Sequence, residues 1–301
     1  MNRVRELVGA SCAYRQGFYG EGIGVAVLDS GMDALHPDLK GRLVYSYNYV
    51  NHTENVSDDC GHGTHISGII GGTGLASGGR YQGLAPRCHF VSLKVLDRMG
   101  NGSSGSVIQA LYWLLDHGRE YDVRIINISV GSAVQEFEGG SRLLQVVEEA
   151  WDAGFIVCAA AGNQGPGRSS ITVPGTSPKV ITVGSSDDNQ AVQVMGERKA
   201  NYSGRGPTLS CVCKPEVVAP GAYLVSCNAG WRRKGAKAYT TKSGTSMATP
   251  VVSGSLALLL SKERSLSNKE VKLRLYSSCR DLGLPRNQQG WGMIDLPRLF
   301  E

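Results

Sequence analysis

The feature that most constrains the fold of this chain is an alternation of two kinds of segment. Short β-branched runs at 25–29, 90–96, 124–130, 155–160 and 180–184 are separated by stretches whose apolar residues recur at helical spacing, 107–117 and 143–153. Strand, helix and strand in repetition imply parallel βαβ units joined by right-handed crossovers. Runs this apolar leave neither face of a sheet for water, so helices are expected on both faces. Two further helices are read at 247–262 and 268–277, the second with Ser267 as its N-cap. With no internal repeat, low-complexity tract or linker, residues 1–301 read as one α/β domain around a central, mostly parallel sheet, with 1–20 as a short N-terminal extension.

Charge and cysteine usage narrow the class. The net charge of +5 is modest for 301 residues and the basic residues are scattered, apart from Arg232, Arg233 and Lys234. That group reads as a solvated loop, and no nucleic-acid partner is expected. Residues 1–20 hold no apolar run long enough for a signal-peptide core, and no later segment reaches membrane-spanning length. The expectation is a soluble, cytoplasmic protein without a membrane partner. Its eight Cys, at 12, 60, 88, 158, 211, 213, 227 and 279, lack the dense spacing of a disulfide scaffold and are read as mostly reduced. Cys158 lies in an apolar run and reads as a buried small hydrophobe. Cys211 and Cys213 are too close for a zinc knuckle and have no His nearby, so no metal is expected there.

In open α/β sheets, sites form where strands end and helices begin. Three unusual segments occupy such places: Leu28-Asp29-Ser30-Gly31, Gly61-His62-Gly63-Thr64-His65 and Ser243-Gly244-Thr245-Ser246-Met247-Ala248-Thr249-Pro250. A serine hydroxyl attacks at neutral pH only if an imidazole accepts its proton, and that imidazole needs a buried acid to hold one tautomer. Ser246, His62 and Asp29 supply one group for each role. Taken singly, an Asp at a strand end is more often a turn or cap residue, a His at a helix start is more often a surface or capping group, and a Gly-Thr-Ser turn is commonplace. Their conjunction is what carries weight.

The segments Gly24-Val25-Ala26-Val27-Leu28-Asp29-Ser30-Gly31, His62-Gly63-Thr64-His65-Ile66-Ser67-Gly68 and Gly244-Thr245-Ser246-Met247-Ala248-Thr249-Pro250 resemble the three active-site signatures of the subtilase family of serine peptidases. The order Asp, His, Ser along the chain agrees. So do His36-Pro37-Asp38-Leu39, Lys94-Val95-Leu96, Ala160-Ala161-Gly162-Asn163 and Ser203-Gly204-Arg205-Gly206-Pro207. Asp58-Asp59-Cys60-Gly61-His62 and the Gly-rich stretch before Tyr81 are closest in pattern to the bacterial intracellular, AprX-like branch. The resemblance implies a serine endopeptidase acting on peptides or proteins, with Ser246 as nucleophile, His62 as base, Asp29 as orienting acid and Asn163 as oxyanion donor. His65 is then structural and His36 a loop residue. It also implies that Gly100, Asn101 and Gly102 line one edge of the substrate and that Ser129, Val130 and Gly131 lie opposite. Ser129, Val130, Gly131, Ala160 and Gly162 then wall the primary pocket, with Thr172 at its floor and Gln164 at its rim. A side chain at that floor implies a shallow pocket favouring Leu, Met or Ala over Phe or Tyr, with Arg and Lys disfavoured.

The chemistry itself needs no cofactor. The family's structural calcium is left open: residues 71–79 lack the oxygen ligands of its strong site, and Asp38 alone matches a ligand position. Better-known members are made with a long prosegment, whereas only a short stretch precedes the first strand here, which implies unaided folding or a mature form. An inhibitor or prosegment partner is not identified. The competing readings are a maturation peptidase that trims leaders from small peptides, and a catalytically silent subtilase-like binding module. A dinucleotide-binding protein is disfavoured because no Gly-x-Gly-x-x-Gly follows the first strand.

Overall fold

The computed structural model describes residues 1–54, 57–131, 137–194 and 196–301, and the backbone alone for 137–141. The chain order is α1 (Asn2–Leu7), α2 (Ser11–Arg15), β1 (Gly24–Asp29), β2 (Leu43–Asn48), α3 (His62–Gly71), β3 (His89–Lys94), α4 (Ser104–His117), β4 (Val123–Ile128), α5 (Phe137–Asp152), β5 (Ile156–Ala160), β6 (Ile181–Ser185), β7 (Val192–Val194), β8 (Glu197–Lys199), β9 (Val217–Ala219), β10 (Leu224–Cys227), β11 (Tyr239–Lys242), α6 (Thr245–Lys262), α7 (Asn268–Ser278), α8 (Arg286–Gln289) and α9 (Leu296–Leu299). Seven strands form one sheet in the order β2-β3-β1-β4-β5-β6-β9, and every pairing in it is parallel. Two antiparallel pairs, β7 with β8 and β10 with β11, stand outside it.

All residues of β1, β5 and β6 are buried. Since successive side chains point to opposite faces, both faces of the sheet are covered. The cover comes in two helix pairs, α3 with α6 and α4 with α5. α6 is buried along nearly its whole length, which is why its sequence reads as apolar all round rather than as a stripe. Ser267 does cap α7, in a reciprocal box with Glu270. The N-terminal extension packs into the same core: Val4, Val8 and Ala13 are buried, and the Leu296 N–H donates to the Val8 carbonyl at 2.8 Å.

Strand order makes the chain turn back at β1: β2 and β3 lie to one side and β4, β5, β6 and β9 to the other. The carboxyl ends of β1 and β4 therefore diverge into a crevice at the switch point, where Asp29 and Ser129 stand. The segments read as strands to 96 and 130 leave the sheet earlier, at Lys94 and Ile128. Val95 and Leu96 instead donate their N–H groups to the Asp29 carbonyl at 2.8 and 3.2 Å, tying the next loop to the strand end that carries the acid. β2 and β9 were not readable from the sequence. β2 is a half-buried edge strand whose Tyr45 stacks on Trp113, and β9 has only three residues.

Candidate active site

Asp29 is the last residue of β1 and is fully buried. Its Oδ1 accepts the Ser30 N–H at 2.8 Å and the His62 Nδ1–H at 2.7 Å. The second bond fixes the imidazole tautomer, with the proton on Nδ1 and the lone pair on Nε2. Burial by itself would lower the His62 pKa, but the charge and hydrogen bond of Asp29, helped by Asp58, outweigh it and raise the pKa above the ordinary imidazole value; Lys242 opposes them. The His62 side chain keeps 23% exposure against 0% for Asp29, so the imidazole bridges a buried charge and the solvent.

His62 is held by the start of α3, whose N-cap Gly61 has φ 76° and no capping side chain. Ser30 and Asp58 take over that role. Ser30 Oγ accepts the Gly63 N–H at 2.9 Å and donates to Asp58 Oδ1 at 2.8 Å, and the two Asp58 oxygens accept the N–H groups of Gly61 and Thr64 at 2.7 Å each. Three of the orphan donors of the first turn, those of Gly61, Gly63 and Thr64, are thereby satisfied. Gly63 has to be glycine, because a Cβ there would stand 2.1 Å from the Gly31 carbonyl oxygen. Asp58 was quoted from the sequence only as a pattern match, and its role follows from these contacts. Lys94, buried, donates to the Ser30 carbonyl at 2.6 Å and holds the same turn from beneath.

Ser246 lies in the first turn of α6, after Gly244 at φ 139°. Pro250 stands four residues later and has no N–H to give to the Ser246 carbonyl. Ser129 Oγ donates to that carbonyl instead, at 3.1 Å. Ser129 Oγ in turn accepts from Asn127 Nδ2 at 2.9 Å, and Asn127 Oδ1 accepts from Ser253 Oγ at 2.8 Å. A buried polar network thus ties the end of β4 to α6. The Ser246 hydroxyl donates to the Ser129 carbonyl at 2.9 Å, and among the described residues it makes no hydrogen bond to His62.

Asn163 faces the same turn. Its Oδ1 accepts both the N–H and the hydroxyl of Thr245, at 3.0 and 3.1 Å. A backbone N–H can only donate, so the amide orientation is fixed and Nδ2 points away from Thr245. Asn163 is half-buried, and among the described residues its Nδ2 makes no hydrogen bond. His65 is a different kind of histidine. It is fully buried, its Nε2 meets the Leu224 and Thr240 carbonyls at 3.1 and 3.3 Å, and burial pushes its pKa down to about 3.

Residues predicted to contact substrate fall into two groups. Gly100, Asn101 and Gly102 are exposed, on a loop closed by Asp97, whose Oδ1 accepts the N–H groups of Met99 and Asn101, with Gly102 bridged to Leu96. Of Ser129, Val130, Gly131, Ala160, Gly162 and Thr172, the structure brings Gly131 and Gly162 against Thr172, while Ser129 meets Ser246. Thr172 donates its N–H to Ala161 at 3.1 Å, and a Cβ placed on either Gly131 or Gly162 would meet its Oγ1 at 2.5 Å. The Thr172 side chain therefore fills the space between the two glycine-bearing walls. That Oγ1 is buried without a hydrogen-bond partner among the described residues.

His36, Asp38 and Cys227 also converge, with ligand atoms within 4.8 Å of one another. Each is already engaged. Asp38 Oδ1 accepts the Ala76 N–H at 3.0 Å, and Oδ2 accepts the Tyr239 hydroxyl at 2.9 Å and the Cys227 thiol at 3.9 Å. His36 Nδ1 accepts the Asp38 N–H at 3.1 Å, which leaves Nε2 to donate to the Ala238 carbonyl at 2.8 Å. Calcium takes several oxygen ligands. A carboxylate surrounded by N–H, O–H and S–H donors does not fit that requirement.

A parallel doubly wound sheet that holds an acid-oriented imidazole and a helix-borne serine at its switch point defines a serine-hydrolase type of site. The comparisons fix the lineage: the subtilase family (peptidase S8) matches residues 20–292, and the chain belongs to it. It is 38% identical over 267 residues to the serine protease AprX of Bacillus subtilis (strain 168), covering 84% of this chain and 60% of that protein. It is 33% identical over 279 residues to subtilisin DY of Bacillus licheniformis, covering 92% of this chain and 90% of that one. A solved cold adapted subtilisin-like serine proteinase superposes with a TM-score of 0.72 at 28% identity, covering 92% of this chain and 88% of its own.

Proposed function

We propose that this chain is a serine endopeptidase that cleaves peptide bonds through an acyl-enzyme on Ser246. The observation that carries the reading is the 2.7 Å bond from His62 Nδ1 to the buried Asp29, which leaves Nε2 as a base in a chain of the subtilase family. In the first step the Ser246 hydroxyl leaves the Ser129 carbonyl and turns to His62. Its oxygen bonds to the substrate carbonyl carbon as its proton passes to Nε2. Asn163 Nδ2 and the Ser246 N–H, an orphan donor of the first helical turn, stabilise the resulting oxyanion. The carbon–nitrogen bond then breaks as His62 returns the proton to the leaving amine, and water repeats the sequence to free Ser246. Asp29 stays ionised and stabilises the imidazolium.

Thr172 makes the primary pocket shallow and uncharged, which supports a preference for Leu, Met or Ala before the scissile bond. The donors around Asp38 support a further reading, that protein groups do the work of a calcium ion there. The decisive experiment is mass spectrometry after a fluorophosphonate probe, with peptide hydrolysis assayed in parallel. One adduct on Ser246 is expected, absent from Ser246→Ala, whose kcat should fall by about 10⁶ as in subtilisin. Substantial hydrolysis by clean Ser246→Ala protein refutes the assignment.

A further inference from the structure

The edge of the sheet opposite Asp29 holds a second cavity, of about 310 Å³, at the amino ends of β1, β4 and β5. Arg119, Arg124 and Arg264 line it together with a single acid, Asp122. We propose that this cavity binds a compact phosphate-type anion carrying two or three phosphoryl groups.

The first argument is an excess of positive charge, three guanidiniums against the one carboxylate of Asp122. Among the described residues none of the three guanidiniums forms an ion pair. Each is held by backbone carbonyls: Arg119 by Ala153 at 2.7 Å, Arg124 by Arg264 and Leu266 at 2.6 and 2.5 Å, and Arg264 by Glu21 at 2.9 Å. Acidic side chains next to these arginines in the chain or in their bonds are engaged elsewhere, Glu21 with Arg87, Glu120 with His117 and Glu263 with Arg274. Carbonyl bonds aim a guanidinium without neutralising it, and each guanidinium has more N–H donors than the carbonyls it meets. Burial holds the Arg124 pKa below its ordinary value, and the charge of Arg119 lowers it further. An anion between the two would reverse that second effect.

The second argument is shape. A Cβ on Gly22, whose φ is +70°, would stand 2.3 Å from Arg264 Nη2, so only glycine lets that guanidinium lie across the backbone. Gly154, at φ +96°, lies beside Arg119 Nη2, where a Cβ would make only an ordinary contact at 3.8 Å. The volume is at the small end of the range for ligand clefts, roughly 300–1,000 Å³. That suits a short chain of phosphates better than a macromolecular acidic segment. Planar guanidiniums match phosphate oxygens in paired hydrogen bonds, which a lysine cluster would not.

The test is calorimetric titration of the intact protein at fixed ionic strength with inorganic tripolyphosphate and, separately, with metal-free ATP. Saturable one-to-one binding is expected, weakened about tenfold or more by Arg119→Gln and, independently, by Arg264→Gln. Both side chains are exposed, and the thermal midpoint of each variant reports its folding. Arg198→Gln, exposed on β8, should bind as wild type does. Equal affinity for the two ligands assigns recognition to the phosphate chain, and tighter ATP binding assigns the site to a nucleotide. No saturable heat with either, or affinity indifferent to both cavity substitutions, overturns the proposal.

Discussion

Asn163 is expected to have two separable duties, one for each end of its amide. Its Oδ1 holds the N–H and hydroxyl of Thr245, a residue with no exposure, and in the proposed mechanism its Nδ2 is the donor to the oxyanion. Asn163→Ala removes both. The buried Thr245 N–H loses its acceptor, at a cost of about 1–3 kcal/mol. In a domain of this size that lowers the melting midpoint by roughly 2–4 °C per kcal/mol. Asn163→Asp keeps an acceptor for Thr245 and replaces the Nδ2 donor with a negative oxygen. It should therefore melt close to wild type and still lose the stabilisation of the transition state. Loss of the equivalent donor in subtilisin lowers kcat by about 10²–10³, and an added charge facing the oxyanion should make the loss at least that large. The assay is kcat on one peptide ester alongside thermal melts of wild type and both variants. If Asn163→Asp keeps wild-type kcat, Nδ2 is not the oxyanion donor; if Asn163→Ala melts no lower than Asn163→Asp, the grip on Thr245 is not a stabilising contact.

Because Asp29 raises the His62 pKa, the acid limb of kcat/KM should have its midpoint above the ordinary imidazole value of about 6.5. Asp29→Asn should move that limb to lower pH, since burial is then opposed only by the smaller effect of Asp58, and lower kcat by about 10⁴; an unmoved limb would separate the two residues. The same shift makes the ion pair's contribution to stability complete below about pH 6.5 and lost as pH rises through the raised folded-state pKa, so the difference in melting midpoint between wild type and Asp29→Asn should shrink in that window. Thr172→Gly should raise kcat/KM for Phe relative to Leu before the scissile bond by about tenfold or more, since one methylene of fit is worth about 1–3 kcal/mol; an unchanged ratio would show that Thr172 is not the floor. Cys60 is half-buried, with its Sγ 3.7 Å from where a Cβ on Gly100 would stand, so a mercurial there should obstruct the substrate edge. Inhibition of wild type with sparing of Cys60→Ala is expected, and equal inhibition of both removes Cys60 from the account.

What could be read in the sequence, and what could not, divides along the range of the interactions. The five central strands declared themselves through uninterrupted apolar runs because both of their faces are covered, a condition that local composition records. β2 gave no such signal, since an edge strand with half-buried tyrosines has the composition of many loops. In the same way the residues of the serine site stood out as local motifs at strand ends and helix starts, whereas the residues that hold them are distant in the chain and ordinary in type. Asp58 could have been noticed as an acid three residues before the Gly that opens α3, and Lys94 stands out only as a letter in a motif, but Asn127 and Ser253 are marked by nothing except the contacts they make. Pro250 is the instructive case. As a letter in a motif it only helps recognition. In the fold it withholds an N–H from the Ser246 carbonyl, and the acceptor so freed receives the Ser129 hydroxyl. The position of Ser246 thus depends on a hydrogen bond that the helix does not make, and that dependence becomes visible only once Ser129 and α6 are seen side by side.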